Sequence, residues 1–559
     1  MINDSYKYFF MKFIKPNTFT IIFLIALEFI GMLFTFISPL LAKSLIDDVF
    51  IGGKTGIFGY IILGTAGTYV ISSFSTYISS YKKGKLELTI FNDVAEESFK
   101  AAQSAYITKT QGMKVGDLLS RIVANTRSAI YIFTFIIPQV IVNAIRIITP
   151  FTIMLYYNWK LALIVTIPAL FFLIPMSFFG RRLEHTQRTS LEKTASIYSF
   201  LNENLSIIPL IKVFRLERWS QNKFQEQMKD YYDATLDYTR NNSLSTSVNS
   251  LMYGIPMVLL IIFGGPLVMQ GSLSIGTFTL FMSNVALVFS PVSQFALLWT
   301  AYKSSSPAFD RVNEVLQLEK DDGGNKELKV KDGVITFEDV WFTYDNRPIF
   351  QGFNATFKNG LNYVVGDNGT GKSTIFKLLC SLYTLEGGKI NIDGQDISTV
   401  RREDLRESIS MIFSEPYLFD GTISDNIKIG NFSSTEENII KAAKQVRVHE
   451  FIKSLPQGYE TMVGENGLKL SSGEKQKIAL ARAVLKNSPI ILLDEVTKSI
   501  DRESKKAINE VIKNLSIKKT VIIITHSESE IHYNSNIIYI ENGDIQREPA
   551  SFKSSRAVS

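Results

Sequence analysis

Residues 361–380 read "LNYVVGDNGTGKSTIFKLLC", an apolar run followed by a glycine-rich turn and a helical pattern. Gly366, Asp367, Asn368, Gly369, Thr370, Gly371, Lys372 and Ser373 fit the phosphate-loop pattern, and Thr374 continues into the helix. A chain of this length shows that pattern by chance about once in fifty. The flanking strand and helix lower the odds further. Loop N–H groups can cradle the β- and γ-phosphates of a nucleotide, the Lys372 ammonium neutralises them, and the Ser373 hydroxyl can hold Mg²⁺.

Two more apolar runs bring acid–base groups toward the same place. "PIILLDE" (489–495) ends in Asp494 and Glu495, and "TVIIIT" (520–525) is followed by His526. Both read as buried strands of a parallel sheet, whose carboxyl ends are where ligands of open α/β sheets sit. Asp494 is then a second Mg²⁺ support and Glu495 a group that polarises the attacking water. Taken alone, an acidic pair after a strand reads as a helix start and a lone histidine as structural. Three strand ends meeting beside a phosphate loop reverse both readings.

"LSSGEKQK" (470–477) enters a helical pattern with Ser471, Ser472, Gly473 and Glu474. Free N–H groups and the positive dipole end make such an entrance an anion site. Ser471 and Glu474 also have the spacing of a capping box, which is the local explanation for the glutamate.

The rest of the chain has a different character. Of 559 residues 46% are hydrophobic, and 59 basic against 53 acidic residues leave a net charge of +6. That balance suits a protein facing membrane lipids better than a nucleic-acid binder. The single cysteine, Cys380, excludes a disulfide framework and cysteine-based zinc sites. Apolar runs at 17–41, 56–80, 129–157, 160–180, 247–269 and 275–300 are each long enough to cross a bilayer. Lysines 7, 12, 15, 82, 83 and 85 with Arg181 and Arg182 flank them so that both termini face the cytoplasm of a cytoplasmic membrane. The polar, helix-periodic segments 81–128 and 181–246 read as helices continuing beyond the membrane surface.

The expected architecture is thus a membrane α-helical bundle over 1–318, a linker over 319–333, an α/β phosphate-loop ATPase domain over 334–545 and a flexible tail over 546–559. Within the bundle Glu28 and Arg146 are the expensive residues, each costing on the order of 3 kcal/mol at a helix centre unless paired or wetted. Counted from the outer ends of their runs they lie at similar depth. A structural ion pair and a substrate-cavity pair, with Gln139, Asn143 and Asn284 adding polarity, both stay open. Phe133, Phe135 and Phe281 read as packing.

With these residues in view the sequence resembles the ATP-binding cassette transporters, in particular exporters with membrane and nucleotide-binding halves fused. "LSSGEKQKIALARA" is similar to the family's signature motif, "ILLDEVTKSID" to its Walker B and D-loop with Asp501, and "THSE" to its switch histidine. "VWFTYDNRP" resembles its adenine-stacking loop through Tyr344, and "GDLLSRI" (116–122) and "IKVF" (211–214) its weaker intracellular-helix patterns.

The resemblance implies ATP and Mg²⁺ as ligands and Glu495 and His526 as catalytic residues. It also implies that Ser471, Ser472, Gly473 and Glu474 contact the γ-phosphate of ATP held by a second copy or a second half-transporter. A homodimer is expected, although Ser472, where the family has glycine, leaves a different partner open. The family's glutamine is replaced by Ser414 in "MIFSEPYLF" (411–419), so water or Glu415 would stand in at the metal.

The expected function is export of a small amphipathic substrate, a peptide, drug-like compound or lipid. An importer of the same fold and an ATP-gated channel are the alternatives. The short segment before the first run leaves no room for a leader-trimming peptidase. Abundant Ile, Lys and Asn point to an AT-rich bacterial genome.

Overall fold

The computed structural model describes residues 2–546 except 114, 168–172, 345–346, 497–501, 527–530, 532–534 and 542–543. The chain divides into two compact units, Met1–Gln103 with Met113–Gln317, and Ser104–Gly112 with Leu318–Ser559.

The first unit is helical. Its principal elements are α1 (Ile2–Phe9), α2 (Thr18–Ser44), α3 (Phe58–Ser104), α4 (Ile137–Tyr157), α5 (Leu173–Ser206), α6 (Glu217–Met269) and α7 (Ile275–Leu316). Among the described residues four helical stretches are long and apolar enough to cross a membrane: Tyr6–Ile51, Thr55–Ser104, Val115–Tyr157 and Ile275–Leu316. Gly254–Met269 is a shorter apolar helix. The sequence run at 160–180 falls partly on 168–172, outside the described residues. With 53 residues, α6 is about 80 Å long at 1.5 Å per residue, far more than a roughly 30 Å hydrocarbon core needs. The surplus is the polar extension that the periodicity of 181–246 indicates.

Helix α3 packs through a narrow seam. Ile61, Thr68, Ser75, Ser79 and Leu86 are buried, whereas Tyr69, Val70, Phe74 and Tyr77 are exposed, as suits a lipid-facing side. Small residues let α2 approach it closely, because a Cβ on Gly31 would lie 3.1 Å from the Ser75 hydroxyl. At the end of α3 the chain leaves the bundle. Ser104–Gly112 belongs to the second unit, where the Tyr106 N–H donates to the Glu319 carbonyl (3.2 Å) and the Asp321 N–H to the Ser104 carbonyl (2.8 Å).

The second unit holds two sheets. One is antiparallel, order β2-β1-β4-β5, from β1 (Ile335–Tyr344), β2 (Arg347–Phe357), β4 (Gly387–Ile392) and β5 (Gln395–Asp396). The other has the order β10-β9-β3-β8-β7-β6 and contains β3 (Gly360–Gly366), β6 (Ile409–Ile412), β7 (Ile490–Asp494), β8 (Thr520–Thr525), β9 (Asn536–Glu541) and β10 (Asp544–Gln546). All its pairings are parallel except β9 with β10. Central strands β7 and β8 are buried at every position, which is why they read as unbroken apolar runs.

Alternate residues of these strands feed two cores. Leu492, Ile522 and Ile524 pack with Ile375 and Phe376 of α8 (Lys372–Leu379). Ile491, Leu493 and Ile523 pack with Ile478 and Leu480 of α9 (Ser472–Lys486) and with Ile508 and Ile512 of α10 (Arg502–Ser516). Within the segment expected as a linker, the buried Asp321 carboxylate accepts from Arg402 (2.8 Å) and from Arg406.

Candidate nucleotide site and membrane cavity

The register of the parallel sheet assembles the first site. Val365 pairs with Thr525 and Asp494 with Ile524, so the residues after β3, β7 and β8 emerge at one edge. The turn after β3 is shaped for glycine. A Cβ on Gly366 would meet the Ile540 carbonyl at 2.2 Å, and Gly371 has φ +98°. Thr370 fastens the turn by donating its hydroxyl to the Asp367 carbonyl (3.0 Å). Asp367, Asn368 and Gly369 are exposed at its crest, while Thr374 is buried in the first turn of α8.

Lys372 is buried, and its ammonium is held inside the turn by the carbonyls of Gly366 (2.7 Å) and Asp367 (2.6 Å). Ser373 donates its hydroxyl to Asp494 (3.2 Å). Burial pushes the Asp494 carboxyl above its ordinary range, opposed by the Ser373 hydrogen bond and reinforced by the neighbouring Glu495 charge. A hydroxyl beside a buried carboxylate next to a phosphate loop is the donor set that Mg²⁺ bridging to phosphates uses, since that ion takes few protein ligands. The residues fit the metal.

Glu495 follows β7 with φ +48°, a left-handed conformation that is strained for a residue with a side chain. Its N–H donates to the Ile524 carbonyl (3.1 Å). This turn aims the carboxylate at His526, whose Nε2 lies 2.5 Å from Oε1. The two groups expected to handle water and γ-phosphate are therefore engaged with each other.

Tyr344 closes β1, half-buried, with its ring edge-on to Phe342 and Tyr383 and the Lys377 ammonium 5.8 Å from the ring centre. Burial and the adjacent Tyr383 raise its hydroxyl well above the ordinary range.

Ser471 caps α9 by accepting from the Glu474 N–H (3.4 Å), and Glu474 accepts from the Ser471 N–H (2.8 Å). The capping box is present. Ser472 and Gly473 form the first positions of the helix, so its N-terminal end is ordered by its own side chains. Asp501 lies outside the described residues.

Ser414 is exposed, and its carbonyl accepts from the buried Gln476 side chain (2.7 Å). The sequence reading missed Gln476. The available signal was a polar residue on the face of α9 that also carries Leu480 and Ala483.

In the helical unit, four helices surround a cavity of about 360 Å³. It is lined from α2 by Glu28, Gly31, Met32, Thr35 and Phe36, and from α3 by Ser72, Ser75, Thr76, Ser79 and Ser80. Gln139 and Arg146 of α4 and Leu287, Ser290 and Pro291 of α7 complete it. Glu28 and Arg146 share this cavity, but the ion pair expected between them is not formed. Glu28 accepts from Ser79 (3.2 Å) and lies 4.0 Å from Lys83. Lys83 stands one turn along α3 from Ser79 and also caps the face of Phe135 at 4.2 Å. Asn143 is buried next to Gln139, which donates to it (3.2 Å), and Asn284 turns back onto the Leu280 carbonyl. Phe133 and Phe281 sit in apolar clusters.

Comparison with known proteins follows both halves of this description. The family model described as the ABC transporter transmembrane region matches residues 21–292, and the ABC transporter model matches residues 350–498. The "Putative multidrug export ATP-binding/permease protein YgaD" of Bacillus subtilis (strain 168) is 29% identical over 96% of this chain and 94% of its own length. The "ATP-dependent lipid A-core flippase" of Syntrophus aciditrophicus (strain SB) is 27% identical over 91% of this chain and 86% of its own. A solved bacterial Atm1-family ABC exporter with ATP bound superposes with a TM-score of 0.83 at 22% identity, covering 97% of both chains, and this likeness concerns the fold.

Proposed function

Because the chain belongs to the ATP-binding cassette transporters, we propose that it is an exporter-type half-transporter that moves an amphipathic substrate out of the cytoplasm by alternating access. Two copies form the working unit, both termini are cytoplasmic, and two ATP molecules lie between paired ATPase units. Each phosphate loop faces the Ser471–Glu474 helix entrance of the other copy. The cavity at Glu28 and Arg146 is the substrate site.

The observation that carries this reading is the meeting of Ser373 with Asp494 and of Glu495 with His526 at one sheet edge, beside the Gly366–Ser373 turn. Nucleotide entry gives Lys372 phosphate oxygens in place of the Gly366 and Asp367 carbonyls, and the loop N–H groups take the remaining phosphate oxygens. Ser373 and Asp494 would hold Mg²⁺, which when bound would neutralise charge on the phosphates. Glu495 orients the attacking water and accepts its proton, and His526 turns its ring N–H to the γ-phosphate. The Glu495–His526 contact must open first, since the Nε2–H of His526 cannot point at the carboxylate and at the γ-phosphate at once. Ser414 supplies no side chain long enough to reach the metal, so its loop acts through its backbone, positioned by Gln476.

The test is ATP turnover and substrate movement in proteoliposomes. Substrate-stimulated hydrolysis with accumulation on the side opposite the ATPase units supports an exporter. Accumulation on the same side would make it an importer, and hydrolysis-independent flux a channel.

A further inference from the structure

The cavity of the helical unit has an uneven chemistry. Among the described residues its one lining carboxylate, Glu28, lies 4.0 Å from Lys83 and accepts from Ser79 at 3.2 Å. Arg146, ten residues into the 21-residue α4, makes no ion pair and no hydrogen bond among the described residues. A guanidinium keeps its proton at any accessible pH, and inside a membrane span it needs a counter-charge or water. Lys83 is shared between Glu28 and the nearby Glu87, and Arg146 is the lining cation with no hydrogen-bonded or ion-pair partner of its own among the described residues.

The hydroxyls add a second constraint. Ser75 donates to the Leu27 carbonyl (2.6 Å), Thr35 to the Gly31 carbonyl (3.1 Å), Thr76 to the Ser72 carbonyl (2.8 Å) and Ser79 to Glu28 (3.2 Å). With their protons directed into the protein, these four oxygens favour N–H or O–H donors, although Thr35 is also hydrogen-bonded to Ser72 (3.3 Å) and the Ser80 hydroxyl in the same lining can itself donate. Phe36 is the one aromatic ring in the lining, unlike the apolar and aromatic walls usual for drug-sized ligands.

Building on the transport reading above, we infer that the substrate class carries an anionic group, phosphate or carboxylate, next to hydroxyl or ammonium donors. Arg146 takes the anion, and the hydroxyl face of α2 and α3 takes the donors. The volume of about 360 Å³ holds such a polar group and not a pair of acyl chains, so any apolar portion lies outside the cavity.

The experiment uses the purified full-length chain in neutral detergent with four probes. Short-chain phosphatidylglycerol offers an anion with two hydroxyls, and glycerol phosphate offers the same group without a lipid. Short-chain phosphatidylcholine has no donors, and an alkyltrimethylammonium has no anion. The expected result is affinity for phosphatidylglycerol at least tenfold above that for phosphatidylcholine or the cation. Comparable binding of glycerol phosphate assigns a soluble source, and its failure to bind assigns a lipid headgroup.

Arg146→Gln should remove the tenfold preference, and Arg146→Lys should keep most of it. If the Gln variant does not fold, the probe series on the wild type and the Lys variant decides. Equal or tighter binding of the cation, or a preference that survives Arg146→Gln, overturns the inference. ATP turnover in proteoliposomes separates this from the transport reading. Turnover stimulated only by cationic or neutral compounds overturns the substrate class and keeps the pump, whereas anion binding without any coupled turnover keeps the site and overturns the pump.

Discussion

Replacing Glu495 with Gln isolates chemistry from binding and from folding. Gln keeps the side-chain length and a hydrogen bond to His526 but cannot accept the proton of the attacking water. General-base catalysis of this kind contributes at least about a hundredfold, or about 2.7 kcal/mol of barrier. The stability change should be much smaller. The side chains of His526 and Glu495 are 31% and 16% exposed, so weakening their contact should cost no more than about 1 kcal/mol, and the retained hydrogen bond offsets part of that. The left-handed backbone is unchanged, so its strain cancels in the comparison. ATP affinity should move less than about threefold, because Lys372 rests on the Gly366 and Asp367 carbonyls and Ser373 on Asp494.

Three measurements check this together: phosphate release at saturating Mg²⁺-ATP, equilibrium binding of a fluorescent ATP analogue, and the unfolding temperature. A variant that keeps more than about a tenth of wild-type turnover refutes the base assignment. A variant that loses ATP affinity tenfold refutes the separation of the clamp from the base.

Asp494→Asn should raise the unfolding temperature of the nucleotide-free protein at neutral pH while abolishing Mg²⁺-dependent tightening of ATP binding. The folded carboxyl lies above its unfolded value because burial disfavours the charge, so the wild type gains stability as pH falls through the raised folded value toward the ordinary one, and the Asn variant should lack that gain. Glu28→Gln and Lys83→Met should each destabilise, with the double variant milder than the sum by about 1 kcal/mol. Glu28→Gln with Arg146→Gln should instead be additive within about 0.5 kcal/mol, and thermal unfolding in detergent distinguishes the two cycles. Ser471→Arg should stop turnover at both sites of a homodimer, because a long cation would stand where the second copy's γ-phosphate docks. Retained activity in the purified variant would show that this helix entrance meets no phosphate.

The phosphate loop and the two buried strands were legible because each is a short-range pattern. Spacing in "GDNGTGKST" fixes the turn, and unbroken apolar runs fix strands covered on both faces. The pairing of Glu28 was not legible. Counting 1.5 Å per residue places Glu28 and Arg146 at one height, but height does not fix rotation about the helix axis or the reach of a neighbour. Lys83, filed with the basic residues after the second run, extends its chain back along α3 and takes the carboxylate first. The strain at Glu495 was equally hidden, since no residue type announces φ +48°. The anchored Asp321 looked like linker because "EKDDGG" is polar throughout, and its partners Arg402 and Arg406 lie some eighty positions away.

These hidden features share a direction. At the sheet edge Asp494 is ionisable in a buried position, Glu495 holds a backbone conformation costing about 1 to 3 kcal/mol, and the Lys372 ammonium rests on the carbonyl dipoles of Gly366 and Asp367. In the helical unit Arg146 makes no ion pair among the described residues. On the proposed assignments a ligand would relieve three of these terms: a divalent cation at Asp494, phosphate at Lys372 and an anion at Arg146. A protein whose unmet electrostatic demands match its ligands binds them with an affinity that depends on state, and only such a difference can shift a conformational equilibrium. Stabilising either site without its ligand, as Asp494→Asn does, should therefore weaken the transport cycle even where it strengthens the fold.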